Sequence, residues 1–345
     1  MSWWKLLSVL LLTYVIIAGF TVPLKPGIAF VSPQTTASNA TLQLSIEGYN
    51  THFESGKQSL EAWLKLDSIH GVQASELIVN NENQIEATFP IGGIENEFTD
   101  ATLYVNNDID KTAFLPSAIR ITKNGDVSNF TRQLIPYDRL SSKPGFLFPY
   151  REILNETIRN TFFHVALWMS MFALLIVGIY NGIQYLRTND ITYDSKASSF
   201  NMIAIVYGLL GLATGSVWAK YTWGTWWTTD IKLNMSAIAM LIYVAYAILR
   251  ASIDDIDKRA KLSSLYAIFA FAALIPLVLV LPRMGNVISL HPGNGGNPAI
   301  GGEDMDNTLR MVFYPAVIGL FLFGMWIATI RTRIEILYYK KSQLE

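Results

Sequence analysis

The chain has 345 residues, of which 51% are hydrophobic and only 15% charged, with a mean hydropathy of +0.30. That balance indicates a membrane protein with an attached soluble part, and a net charge of −1 gives no ground for a nucleic-acid partner. The absence of cysteine excludes disulfides, thiolate metal sites and Cys nucleophiles.

Taken in order, Leu6 to Val22 is an apolar run behind Lys5, followed by Pro23 and Pro26. No small-x-small cleavage site follows it, so it reads as a retained first span rather than a signal peptide. From about Leu24 to Tyr150 the pattern changes to short alternating segments: Thr41–Ile46, Ala62–Leu66, Glu76–Val79, Gln84–Phe89, Ala101–Val105 and Ala118–Thr122. Gly, Asn, Asp and Pro separate them at intervals suited to an antiparallel β-sandwich, immunoglobulin-like in general build. His52 and His70 lie in this region without a third ligand at metal spacing, and read as loop residues.

Beyond Tyr150 five more spans follow, over about Phe162–Ile183, Met202–Trp218, Leu233–Leu249, Leu265–Leu281 and Val312–Ile330. Pro276 and Pro315 would kink or cap their helices. The expected plan is a first transmembrane helix over 1–23, a β-sandwich over 24–150 and a five-helix membrane domain over 151–345. Basic residues set the orientation. Eleven fall on one side: Lys5, Arg187, Lys196, Arg250, Lys258, Arg259, Lys261, Arg331, Arg333, Lys340 and Lys341. The opposite short loops hold four, Lys220, Lys232, Arg283 and Arg310, which puts both termini in the cytoplasm and the sandwich outside.

That topology brings three features to the outer face. His164 opens the second span, His291 precedes the last, and the outer loop between them reads W-G-T-W-W-T-T-D from Trp223 to Asp230. An aromatic belt explains indoles at an interface; a platform for a flat, greasy ligand explains three of them closed by a carboxylate. Two imidazoles flanking such a platform favour the ligand. Zinc would want a third or fourth protein ligand, whereas haem needs only axial ones. Lys220, Lys232, Arg283 and Arg310 are the outer basic groups for its propionates, with lipid headgroups as the alternative partner.

Four segments carry a resemblance to a known family: F-H-V-A-L-W-M-S-M-F at 163–172, G-S-V-W-A-K-Y-T-W-G-T-W-W-T-T-D at 215–230, L-H-P at 290–292 and R-T-R-I-E-I-L at 331–337. With the six spans, they resemble the CcmC-type haem-handling proteins of cytochrome c maturation, within the CcmC/CcmF/CcsA superfamily. The resemblance implies non-covalent haem b at the outer face, His164 and His291 as its axial ligands, and Trp223, Trp226, Trp227 and Asp230 at the porphyrin edge. It implies no catalysis, but delivery of haem to the periplasmic chaperone CcmE. It also implies a bacterial inner-membrane location beside the small subunit CcmD and the CcmA/CcmB transporter. Thr229 stands where the family has another Trp before the Asp, and Lys232 where it has Arg. Family members have a short loop where this chain has its sandwich, so the role of the insertion is not carried over. Docking of a protein partner and structural decoration are both open.

Rival classes make different demands. A haem lyase expects more spans and more histidines; a membrane-anchored binding protein would leave the two membrane histidines incidental. A haem transporter expects polar residues deep in the spans, where the sequence offers few and sets Asn201 and Asn234 near the ends. No hydrolase or phosphate-binding motif is present, and G-N-G-G-N-P at 293–298 reads as a loop. Glu303, Asp304 and Asp306 read as a solvated loop rather than a cation site.

Overall fold

The computed structural model describes residues 2–125, 133–136, 140–141, 143–284, 289–291 and 305–344. They form two units, Val22–Glu156 and a helical one built from Met1–Thr21 with Thr157–Glu345. The 293–298 loop and the carboxylates Glu303 and Asp304 lie outside the described residues.

In the first unit, apolar residues at alternate positions turn one face of each strand inward. One sheet holds β1 (Gly27–Ser32), β3 (Ala40–Tyr49), β7 (Gln84–Ile91) and β6 (Glu76–Asn81), in that spatial order. The other runs β10 (Gln133–Leu134), β5 (His70–Gln73), β4 (Glu61–Lys65), β8 (Phe98–Asn107), β9 (Lys111–Thr122) and β2 (Thr35–Ala37). Leu42, Leu44 and Ile46 from the first sheet and Leu103, Val105 and Ile119 from the second belong to one apolar cluster.

All six alternating segments fall in strands, with Leu66 just past the end of β4. Two expectations are corrected. The sheets are not wholly antiparallel, because β2 pairs parallel with β9, Thr35 opposite Arg120. His70 is not a loop residue: it opens β5, where pairing with β4 and β10 recruits a segment too short to show a period of its own. His52 does lie between elements, its Nδ1 2.8 Å from Asp110 Oδ1.

Among the described residues, the helical unit contains six helices long and apolar enough to cross a membrane. They are α1 (Trp3–Thr21), α2 (His164–Thr188, led in by a 3₁₀ stretch over Asn155–Phe162), α3 (Ile191–Trp223), α4 (Ile231–Ala251), α5 (Ile256–Ile275) and α6 (Asn307–Ser342). Aspartates cap four of them: Asp190, Asp230, Asp255 and Asp306 accept the amides of Thr192, Lys232, Lys258 and Leu309 at 2.7–2.9 Å. Asp306 is thereby the N-cap of α6.

Two helices outrun their apolar stretches. α3 begins at its Asp190 cap rather than near Met202, because Asp194, Ser195, Ser198, Ser199 and Asn201 are buried within the bundle. Asn201 therefore sits well inside a helix. α5 stops at Ile275, since Pro276 has no N–H to continue it; the chain widens into a π turn over Pro276–Val280 and tightens again at Leu281–Arg283. On α3, Gly208, Gly211 and Gly215 form a strip of small residues against neighbouring side chains. A Cβ on Gly211 would stand 2.8 Å from Trp168 Nε1, and one on Gly215 2.6 Å from His164 Cε1. The missing side chains let α2 and α3 approach closely. α1 lies along α6, where the Ser8 hydroxyl donates to the Gly319 carbonyl at 3.0 Å.

Candidate functional site

His164 is the first residue of α2, and α3 fixes its ring. Nδ1 donates to the Gly211 carbonyl at 2.9 Å and lies 3.3 Å from Thr214 Oγ1. The ring meets the Trp218 indole edge-on, centroids 5.7 Å apart. That indole is itself held, its Nε1 donating to Thr157 Oγ1 at 3.1 Å. Gly215 fills the remaining side without a Cβ.

His291 is set in a parallel way by different groups. Its Nδ1 lies 3.1 Å from Asp230 Oδ1, and its ring meets Trp223 edge-on at 5.0 Å. Asp230 does three jobs at once: it caps α4, accepts the Leu290 amide at 2.7 Å and orients His291. Its carboxyl is buried, which pushes its pKa up. Hydrogen bonds from Ser289 and the Leu290 amide, with the neighbouring His291, outweigh that and hold it below the ordinary carboxylate value. Burial pushes the His291 imidazole below its usual value, against the pull of Asp230.

Both imidazoles pack against the C-terminal part of α3, His164 on Trp218 and His291 on Trp223. In each, an acceptor oxygen at Nδ1 keeps the proton there and leaves the lone pair on Nε2. Neither Nε2 has a hydrogen-bond partner among the described residues. Nδ1 bound to a carbonyl or carboxylate, with Nε2 free, is the arrangement of a metal-ligating histidine. No group of three or more His, Cys, Asp or Glu able to hold a metal ion occurs among the described residues. Two imidazoles match porphyrin iron, which brings its own four nitrogens.

The other sequence-predicted residues divide. Trp223 is not in a loop: it closes α3, and Gly224 ends the helix in the left-handed region at φ 78°, which glycine enters without steric cost. Trp226 and Trp227 stand 56% and 41% exposed on the connection to α4, with Trp227 Nε1 donating to Asn234 Oδ1 at 3.1 Å. Lys220 donates from Nζ to the Gly224 carbonyl at 3.0 Å, and Arg283 to the Leu279 carbonyl at 2.7 Å, each closing its own helix end. Lys232 occupies the first turn of α4. Arg310 lies in the first turn of α6 with a buried Nε that has no partner among the described residues.

Sequence reading missed Trp218, the Gly211 carbonyl and Gly215. The spacing of Gly208, Gly211 and Gly215, one face of a helix, was the signal that could have found them.

The sequence model of the heme exporter protein C family, CcmC, matches residues 145–345. Heme exporter protein C of Paracoccus denitrificans is 30% identical over 196 residues, 56% of this chain and 78% of that protein. That of Rhodobacter capsulatus is 26% identical over 211 residues, 58% and 82%, and that of Escherichia coli K12 24% over 192 residues, 54% and 74%. The matched residues cover α2 to α6, both histidines and the indoles around them, and by this match the chain belongs to the heme exporter protein C family.

Proposed function

We propose that the helical unit binds haem b non-covalently between His164 and His291 and hands it to the chaperone CcmE during cytochrome c maturation. One observation carries this reading: two histidines far apart in the chain both pack on the C-terminal part of α3, each with Nδ1 satisfied by an oxygen and Nε2 left free. His164 and His291 would hold the iron, each having its Nδ1 already engaged. Trp223, Trp226 and Trp227 offer indole faces to the ring, and Asp230 keeps His291 in the ligating tautomer. Lys232, just past Asp230, and Arg283, in the stretch before His291, would meet the propionates. The activity on this reading is binding and transfer of haem rather than catalysis.

The same reading places the chain in the bacterial inner membrane with both termini cytoplasmic, on the count of basic loop residues, with CcmD and the CcmA/CcmB pair as companions. The sheet-rich unit is then a periplasmic, immunoglobulin-like sandwich inserted between the first and second spans. We assign it docking of CcmE or an apocytochrome; removal of residues 36–140 with unchanged haem transfer would refute that role.

The central test is the absorption spectrum of the purified full-length protein beside His164→Ala and His291→Ala. Wild type is expected to carry a bis-histidine haem spectrum that each variant loses, together with transfer to CcmE. Two variants indistinguishable from wild type in spectrum and transfer would refute the ligand assignment.

A further inference from the structure

His164 opens α2, and the residues just before it shape its surroundings. Thr157, Asn160 and His164 follow one another at spacings of three and four, first in the 3₁₀ lead-in and then in the helix. All three side chains meet α3. Thr157 Oγ1 accepts from Trp218 Nε1 at 3.1 Å and lies 3.4 Å from Thr222 Oγ1. The Asn160 amide donates to the Thr214 carbonyl at 3.0 Å. The lead-in is also pinned to α1: Arg159 donates to the Gly19 carbonyl at 2.8 Å, and the Phe163 and Phe20 rings stand 5.7 Å apart.

An imidazole needs more than one contact to hold its plane. The bond from Nδ1 to the Gly211 carbonyl fixes one corner of the His164 ring and leaves it free to tilt. Two neighbours limit that tilt. Gly215 presents backbone, close enough that a Cβ there would stand 2.6 Å from His164 Cε1. Trp218 presents a side chain, its indole meeting the imidazole at an interplanar angle of 84°. Backbone stays where the helix puts it, whereas an indole can choose among staggered rotamers. The polar atom of that indole is its Nε1–H, and Thr157 supplies the acceptor. The seat of the indole, and with it the tilt of the imidazole, thus depends on a hydroxyl outside α3.

We infer that Thr157 is a positioning residue: by holding the Trp218 N–H it sets the plane in which His164 presents Nε2. A ligating ring works when packing and outer hydrogen bonds lock its orientation. The importance of this device for haem rests on the ligand role proposed for His164.

The ring ¹H–¹⁵N resonances of His164 in the haem-free full-length protein, identified by their loss in His164→Ala, test the inference. Thr157→Val keeps the shape of the side chain and removes its hydroxyl. It is expected to shift the His164 resonances and leave those of His291 in place, and Thr157→Ser to restore the wild-type positions. Unshifted His164 resonances in Thr157→Val would overturn the inference. In the Trp218→Phe background, which lacks the indole N–H, Thr157→Val is expected to add no further shift. A further shift would mean that Thr157 acts by another route, and would overturn it equally. Haem titration gives the functional arm: affinity about fivefold weaker in Thr157→Val, the effect of one net hydrogen bond, and as wild type in Thr157→Ser. Equal affinity in Thr157→Val and wild type would remove its part in haem binding. The resonances are read without haem, so they decide the role of Thr157 even where the wild-type absorption spectrum refutes His164 as an iron ligand.

Discussion

Asp230 Oδ1 lies 3.1 Å from His291 Nδ1, while its other oxygen accepts the Leu290 amide at 2.7 Å. One carboxylate therefore fixes both the ring and the backbone of the residue before it. Asp230→Asn keeps a good helix cap but removes the charge and permits the wrong tautomer. Haem affinity is expected to fall about 10–100-fold, the usual effect of removing the outer partner of a ligating histidine. Titration of the apoprotein with haem reads it, with unchanged Tm as the control.

Gly215 and Gly208 share a helix face and differ in what they face. A Cβ on Gly215 meets the His164 ring at 2.6 Å, whereas one on Gly208 meets the thioether of Met240 at 2.3 Å. A methionine end swings aside; an imidazole held by the Gly211 carbonyl does not. Gly215→Ala is expected to displace the ring and reduce haem loading severely, and Gly208→Ala to leave it near wild type. Equal loading in the two variants would show that Gly215 does not set the ring.

Trp226 and Trp227 are exposed, so their loss leaves little cavity. Changing both to Ala is expected to shift stability by no more than about 0.5 kcal/mol. Each ring contact with a bound porphyrin contributes about 0.5–1.5 kcal/mol, so affinity should drop roughly tenfold. Parallel haem titration and thermal unfolding separate the two effects.

The buried Asp194 and the largely covered Arg250 form a bidentate pair linking α3 to α4. Removing one partner strands the other charge, and Asp194→Asn or Arg250→Met alone should destabilise by about 3–5 kcal/mol. The double change is expected to recover much of that loss. Unfolding of all four proteins in detergent provides the cycle; additive losses would mean the pair does not couple.

In the sheet unit, Asp67 accepts the amides of Ile69 and His70 at 3.0 and 2.9 Å. Those bonds hold its carboxyl at about 2, down from 3.8. A depressed folded value stabilises the fold above the unfolded pKa, and that contribution is lost as pH falls from about 4 towards 2. Asp67→Asn should flatten this part of the stability–pH curve of the full-length protein, with the difference confined below about pH 4.

Periodicity made most of the fold legible. Five long apolar runs after Tyr150 and six alternating segments before it each have one physical interpretation, burial of a helix or of a strand face. β5 and β10 escaped because four and two residues are too few to show a period. The first turns of α3 escaped because a polar stretch looks like a loop until a bundle buries it. Within the site, His164 and His291 were legible as side chains that one topology brings to the same end. The Gly211 carbonyl was not, since every residue has a carbonyl and only helix packing selects one. Asp230 illustrates the other limit: its place beside the tryptophans suggested the porphyrin edge but gave no sign that its carboxylate faces His291 and the start of α4.

One rod calibrates both imidazoles. α3 supplies the carbonyl and indole that set His164 and, at its far end, the indole that abuts His291. Sliding that rod by a single helical pitch, about 5.4 Å, would unseat both rings in the same stroke. If haem sits between them as proposed, grip on its two sides is mechanically one quantity.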